Sequence, residues 1–358
     1  MTSQAIVSPR TVLPRRLDMV ARSRGWGIGG RRKQRLRYPP RDRWGHGRPN
    51  PDFSARSAPS PKKPAPDALW LGHAAVGARD PASARYFRTR RLVADDLGPR
   101  LERALDAGER VLLGVDFSLG YPAGFADAAG LPGDEPPWRR TWDYLAGAIT
   151  DGDDNANNRF AVAAGLNQRL ANSGSQRRFW ACPPGAAGPH LTTRRPHVND
   201  EATPPARRRV VEQRIKSAQE AWKLFTTGSV GSQTLLGIAW LARLLARPGL
   251  AQRHGVWPCT DGFAVPGGLL GGAGLTVAEV YPRLSDDAAA GAEGAGTSEA
   301  LPHPIRDAAQ VRTLAGMLAT RAADGRLAGW FAEPAGLSTA DRDRCVAEEG
   351  WILGDRLA

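Results

Sequence analysis

The apolar run Val111-Leu112-Leu113-Gly114-Val115 has no polar interruption and is too short for a buried helix. It reads as a strand buried on both faces. The run stops at Asp116 and breaks into a loop punctuated by Gly120, Pro122 and Gly124. Upstream, Ala68–Val76 and Tyr86–Val93 read as strands. Ala94–Ala107 reads as a helix, with Leu97, Leu101, Ala104 and Leu105 on one face and Gly108 as its stop. Downstream, Trp138–Ile149 and Asn158–Leu170 carry helical patterns, and 171–206 is irregular and rich in Gly, Pro, Asn and Arg. Ala206–Phe225 reads as a charged helix, Gly228–Gln233 as a tight turn and Leu235–Ala246 as a strongly apolar helix stopped by Pro248-Gly249. Val256–Phe263 and Leu275–Tyr281 fit strands. Ile305–Ala323 is an amphipathic helix with Ala308, Val311, Leu314, Ala315 and Leu318 on one face. In the tail, Ser338 caps a short helix and Trp351-Ile352-Leu353 is strand-like. The pattern is α/β: a mixed sheet flanked by helices, with a largely helical insertion over about 125–250 and no internal repeat.

Composition changes this picture at one end. The net charge is +13, but residues 1–49 hold 13 Lys/Arg against 2 Asp/Glu, so only +2 belongs to the remaining body. The basic stretch has little apolar periodicity and reads as a disordered arm. It is either a nucleic-acid-binding arm or an inert stretch, the product of a misplaced start or a shifted frame. The division is therefore 1–49 arm and 50–358 domain. No apolar run is long enough to span a bilayer. The sparse cysteines Cys182, Cys259 and Cys345 favour reduced thiols and a cytoplasmic location.

Acids fall at comparable places in several elements. Asp52 opens the globular part, Asp116 ends the central strand, Glu279 lies in the LTVAEVYP strand, and Asp307 is in the first turn of the late helix. Open α/β sheets place their chemistry at the carboxyl ends of strands. Asp116, Glu279 and Asp307, gathered there, could hold Mg²⁺, with Asp52 completing a catalytic set for phosphate displacement. Each acid also has a structural explanation: a turn cap for Asp116, an arginine partner for Glu279, a favourable helix N-terminus for Asp307. On the expected helix Ala206–Phe225, Lys216, Gln219, Trp222 and Lys223 would share a face. Gly228, Ser229, Gly231, Ser232 and Gln233 could then offer a phosphate their N–H groups at the start of the next helix. The P-loop lysine is absent, and a serine-capped turn explains the same residues. His303 sits between prolines near Asp307. HExxH, paired CxxC and GxSxG are absent, and Gly25–Gly30 follows no strand, which argues against zinc, serine-hydrolase and dinucleotide sites.

The segments VDFSLGYPAGF, GSVGSQTLLG, WPCTDGF, AEVYP, IRDAAQV and EEGWILG, with this order of elements, resemble a bacterial family of unassigned function with a ribonuclease-H-like fold. Its members are sometimes labelled as cobalamin-biosynthesis or molybdopterin-guanine-dinucleotide-synthesis proteins. The resemblance covers about residue 52 to the end. It implies a metal-dependent phosphoesterase or nuclease-like hydrolase, or else a non-catalytic accessory protein of cofactor metabolism that binds a nucleotide. Nucleotide or nucleic acid is the expected partner. In this family the first strand ends in Asp-Trp/Phe-Ser, matched here by Asp52-Phe53-Ser54. The preceding residues, Arg-Pro-Asn-Pro among them, cannot fill a buried strand, so the first strand is expected to be missing.

Overall fold

The computed structural model describes residues 55–77, 82–196, 204–215, 217–226, 228–270, 274–281 and 304–355, together with the backbone of 16–21. Its centre is a six-stranded mixed sheet. The strands are β1 (Arg16–Ala21), β2 (Leu69–Ala75), β3 (Ser83–Phe87), β4 (Arg110–Val115), β5 (His254–Val256) and β6 (Gly274–Glu279), in the order β3-β2-β1-β4-β6-β5. The first three form an antiparallel meander, and β4 runs parallel to both β1 and β6. In β4, Val111, Leu113 and Val115 enter one core and Leu112 the other. That division is why the run is apolar at successive positions instead of alternate ones.

The helices are α1 (Arg90–Asp106), α2 (Phe125–Ala128), α3 (Pro137–Ala148), α4 (Arg159–Asn172), α5 (Val210–Arg214), α6 (Val230–Leu245), α7 (Gly267–Leu270), α8 (Arg306–Ala323) and α9 (Thr339–Arg344). Side chains of α1, α3, α4 and α6 build the larger core on one face of the sheet. Leu314, Ala315 and Leu318 of α8 join Trp257, Phe331 and Trp351 in the core on the other. Gly72 permits the close seat of α8, since a Cβ there would run into the carbonyl of Val311. No helix among the described residues is long and apolar enough to cross a membrane.

Three differences from the sequence reading matter for function. The first concerns the basic arm. Residues 16–21 form β1, in the middle of the sheet between β2 and β4, whereas the reading placed them outside the fold. Leu17, Met19, Val20 and Ala21 make this stretch the arm's best strand former, and pairing satisfies backbone groups that β2 and β4 would otherwise leave open. The central position is thus filled by a segment about 30 residues upstream of Asp52, not by the residues immediately before it. Asp52, Lys216 and His303 lie outside the described residues.

The second difference is that α1 begins at Arg90, earlier than its apolar pattern suggests, because the Thr89 hydroxyl accepts the Leu92 N–H at 3.3 Å. The expected strand over Tyr86–Val93 therefore ends at Phe87.

The third is that the expected helix over Ala206–Phe225 is confined to Val210–Arg214. Beyond it the chain pairs with residue 180: the Trp180 N–H reaches the Trp222 carbonyl at 3.3 Å, and the Leu224 N–H reaches the Trp180 carbonyl at 2.9 Å. The extended path puts Trp222 and Leu224 in the larger core, so burial overrides helix propensity.

Candidate functional site

Strand register brings several acids to one edge of the sheet. Val20 of β1 lies opposite Val115, so Asp116 stands beside the carboxyl end of β1. On the other side, Trp70 pairs with Ala21 in antiparallel sense, so Asp67 lies just beyond the same end. Asp307, in the first turn of α8, accepts the Asp67 N–H at 2.7 Å and is 1% exposed. Glu279 closes β6 opposite Val115, one strand further along. Asp116, Asp307 and Glu279 therefore share the carboxyl edge, as the order of elements suggests, and all three are buried.

Glu279 faces a guanidinium. Its oxygens accept the Arg209 Nη1 and Nη2 protons at 2.7 and 2.8 Å, and Oε2 also takes the Leu119 N–H at 3.3 Å. The same guanidinium reaches Ser118 Oγ at 3.0 Å, the Glu349 carbonyl at 2.9 Å and, through Nε, Glu212 Oε1 at 2.8 Å. Burial alone would pull this guanidinium down, but the charges and hydrogen bonds of Glu279 and Glu212 outweigh it and raise its pKa. Burial raises the Glu212 carboxyl, with Arg209 opposing. The three side chains form a closed, bidentate charge network.

Among the described residues no three of His, Cys, Asp and Glu stand together to hold a metal ion. The expected trio Asp116, Glu279 and Asp307 is thus not a ready metal centre: an acid neutralised by a forked guanidinium is a poor ligand for Mg²⁺. Asp116 and Asp307 also bring hard carboxylate oxygens to this edge.

The loop after Asp116 is held by a turn late in the chain. Cys345–Glu349 forms a π turn, a form that often marks functional sites. From it Glu348 accepts the Gly124 and Ala126 N–H groups at 2.6 and 2.7 Å. Glu349 accepts those of Ala123 and Val210 at 2.9 and 2.6 Å. Burial drives the Glu348 carboxyl up to about 7, with Asp127 and Glu349 adding to the rise and the two N–H groups opposing it. The native state therefore holds a proton on Glu348 between the ordinary carboxylate range and neutrality that the unfolded chain releases. Its contribution to stability falls as pH rises from about 4.5 to 7, by about 2–3 kcal/mol. Urea midpoints measured across that window should decline in the wild type relative to Glu348→Gln. Parallel curves for the two proteins would assign the pH response elsewhere.

The expected phosphate cradle is also internally engaged. The Gly231 N–H reaches the Lys223 carbonyl at 2.9 Å, and a Cβ at Gly231 would stand 2.6 Å from the Ala221 carbonyl oxygen. Ser232 Oγ donates to the Leu224 carbonyl and accepts from Arg159 Nε. The Ser229 hydroxyl donates to the Thr226 carbonyl at 2.7 Å, and Gln233 is buried. Gly228 takes a φ of +80°, with Gln219 lying over it. The serine-glycine segment thus seats the start of α6 against residues 221–224. Lys223 does not share a helix face with Gln219. Its ammonium lies 5.5 Å from the Trp180 ring instead.

Sequence reasoning missed Arg209, Glu212, Glu348 and Glu349. Only the paired acids of EEGWILG offered a signal, and it carried no chemistry by spacing. Comparison with protein-family models, with curated proteins and with solved structures finds no match to this chain.

Proposed function

We propose that the carboxyl edge of the sheet is the site of a metal-dependent phosphoesterase or nuclease-like hydrolase, with Asp116 and Asp307 as its acids. One observation carries the reading: strand register sets Asp116 on one side of the end of β1 and Asp67 on the other, and the Asp67 N–H holds the buried Asp307 carboxylate there. The strand order agrees with the ribonuclease-H-like fold suggested by the motifs, in which a meander is followed by a strand parallel to the first. Asp116 and Asp307 would hold Mg²⁺, and the ion would supply charge for phosphate oxygens and a more acidic bound water. Glu279 takes a positioning role: with Arg209 it fixes Ser118 and Leu119, the residues that follow Asp116 and Phe117. Glu348 and Glu349 hold the rest of that loop, so the approach to Asp116 is rigid before substrate arrives.

A second reading is favoured by the internal engagement of Glu279 and by the lack of a three-acid group among the described residues. In it the chain is a non-catalytic accessory protein of cobalamin or molybdopterin metabolism that binds a nucleotide. Hydrolysis of bis(p-nitrophenyl) phosphate with and without Mg²⁺ separates the two. Asp116→Asn and Asp307→Asn should each lower Mg²⁺-dependent turnover by about 100-fold or more, the scale of losing one group that stabilises developing charge. Turnover unchanged in Asp116→Asn, or absent from a wild type that still binds nucleotide, favours the accessory protein.

A further inference from the structure

The chain enters β2 along the carboxyl edge. β3 ends at Phe87 opposite Leu69, so the close of β3, the start of β2 and the carboxyl end of β1 lie on one side of the sheet. Residues 60–67 cross that side and are tied at both ends. The Ser60 N–H reaches the Arg88 carbonyl at 2.9 Å, Arg88 Nε returns to the Ser60 carbonyl at 2.8 Å, and the Tyr86 hydroxyl donates to the Pro61 carbonyl at 2.7 Å. At the far end the Asp67 N–H holds the Asp307 carboxylate at 2.7 Å. Pro61, Pro64 and Pro66 stiffen the span between. Lys62 and Lys63 stand exposed in this span, and Arg306, exposed at the start of α8, immediately precedes Asp307. Among the described residues none of these three cations has an ion-pair partner. On the neighbouring β3 and α1 the cations are paired: Arg85 with Asp96, Arg91 with Asp95 and Arg100 with Asp96. Pairing that neutralises those arginines leaves Lys62, Lys63 and Arg306 open beside the acids.

We infer that the carboxyl edge takes a nucleic-acid strand, with Lys62, Lys63 and Arg306 contacting phosphates next to the reacting one. The choice of the reacting phosphate rests on the hydrolase reading; the cationic rim does not. Asp116 and Asp307 repel a phosphate, and cations around them offset that repulsion. A small phosphate ester is held by a concave site. Exposed cations along an edge instead follow a polyanionic backbone. Lys62 and Lys63 precede Asp67 by five and four residues, a reach of at most about 13–17 Å. That is the span of several nucleotides at about 3.4 Å of rise each, so one strand touches the rim and the acids together.

Fluorescence anisotropy of a labelled oligothymidylate of about 12 nucleotides, titrated with the full chain in EDTA over a range of KCl, tests binding separately from turnover. The wild type should bind saturably, and unlabelled strand should displace the probe. Lys62→Gln, Lys63→Gln and Arg306→Gln combined should weaken binding by about tenfold or more. They should also flatten the slope of log Kd against log salt by about 2, at about 0.7 per phosphate contact on a single strand. All three side chains are exposed, so their loss leaves the core untouched. Arg253→Gln, just before β5 at the opposite edge and paired with Asp106, should bind as the wild type does. Absence of saturable binding by the wild type overturns the inference, and so does an unchanged salt slope in a triple variant with a native circular dichroism spectrum. Displacement of the probe by phosphatidylserine vesicles and not by unlabelled strand overturns it in favour of a membrane surface. Turnover of bis(p-nitrophenyl) phosphate by the wild type, measured alongside, bears on the hydrolase alone. Strand binding without Mg²⁺-dependent turnover keeps the rim and removes the hydrolase; turnover with binding indifferent to the triple substitution does the reverse.

Discussion

Arg209→Ala lowers the unfolding free energy by about 3–5 kcal/mol, the typical cost of removing one partner from a buried ion pair. The guanidinium is 1% exposed and is shared between Glu212, Glu279, Ser118 and the Glu349 carbonyl. Alanine leaves two carboxylates in a dry interior without that counter-charge, and Glu212, which burial already raises, responds by taking up a proton. The loss should accordingly be larger at pH 8 than at pH 5. Urea denaturation at the two values measures it. A companion, Arg209→Met with Glu212→Gln and Glu279→Gln, should recover much of the stability, because a neutral replacement removes the desolvation problem along with the attraction. A loss below about 1 kcal/mol in the single variant would mean the network is wet, and Glu279 would then return as a candidate metal ligand.

Gly120→Ala should cost more than the roughly 1–3 kcal/mol usual for overpacking. A Cβ there would run into the carbonyl oxygen of Glu348 and stand 2.8 Å from the carbonyl carbon and oxygen of Glu349. The obstacle is main chain, and it belongs to the very turn whose side chains hold residues 123–126. No rotamer change can relieve the clash, so either the loop or the π turn must leave its place. Besides the shift in urea midpoint, the proposed phosphodiesterase activity should fall with stability still sufficient for folding, because the loop that follows Asp116 is displaced. Full activity together with wild-type stability would show that the loop and the turn are not tightly docked.

Elements defined by local pattern are legible in the chain itself. Val111–Val115 is apolar at every position because it is covered on both faces, and Ile305–Ala323 has one apolar stripe because only one face packs. Asp116 and Asp307 are legible with them, since each sits where a readable element ends or begins. Glu279 can be placed at its strand end but not assigned a partner, because Arg209 is 70 residues away in sequence and no periodicity links them. The helix expected over Ala206–Phe225 fails for a related reason: local spacing favours a helix, but seating Trp222 and Leu224 in a core made by distant helices demands an extended chain. Lys62, Lys63 and Arg306 are visible in the chain only as charges, and their meeting at one edge depends on the ties of residues 60–61 to the end of β3 and of Asp67 to Asp307.

By itself, then, the order of residues determined the α/β class, the central strand, the amphipathic late helix and the positions of the acids along the chain. Periodicity and chain breaks record how each segment meets its immediate surroundings. Which acid faces an arginine, which segment fills the middle of the sheet and which cations meet beside the acids were decided by the tertiary structure alone. Those outcomes depend on long-range burial and charge pairing, whose energies exceed local preferences and leave no spacing in the sequence to be read.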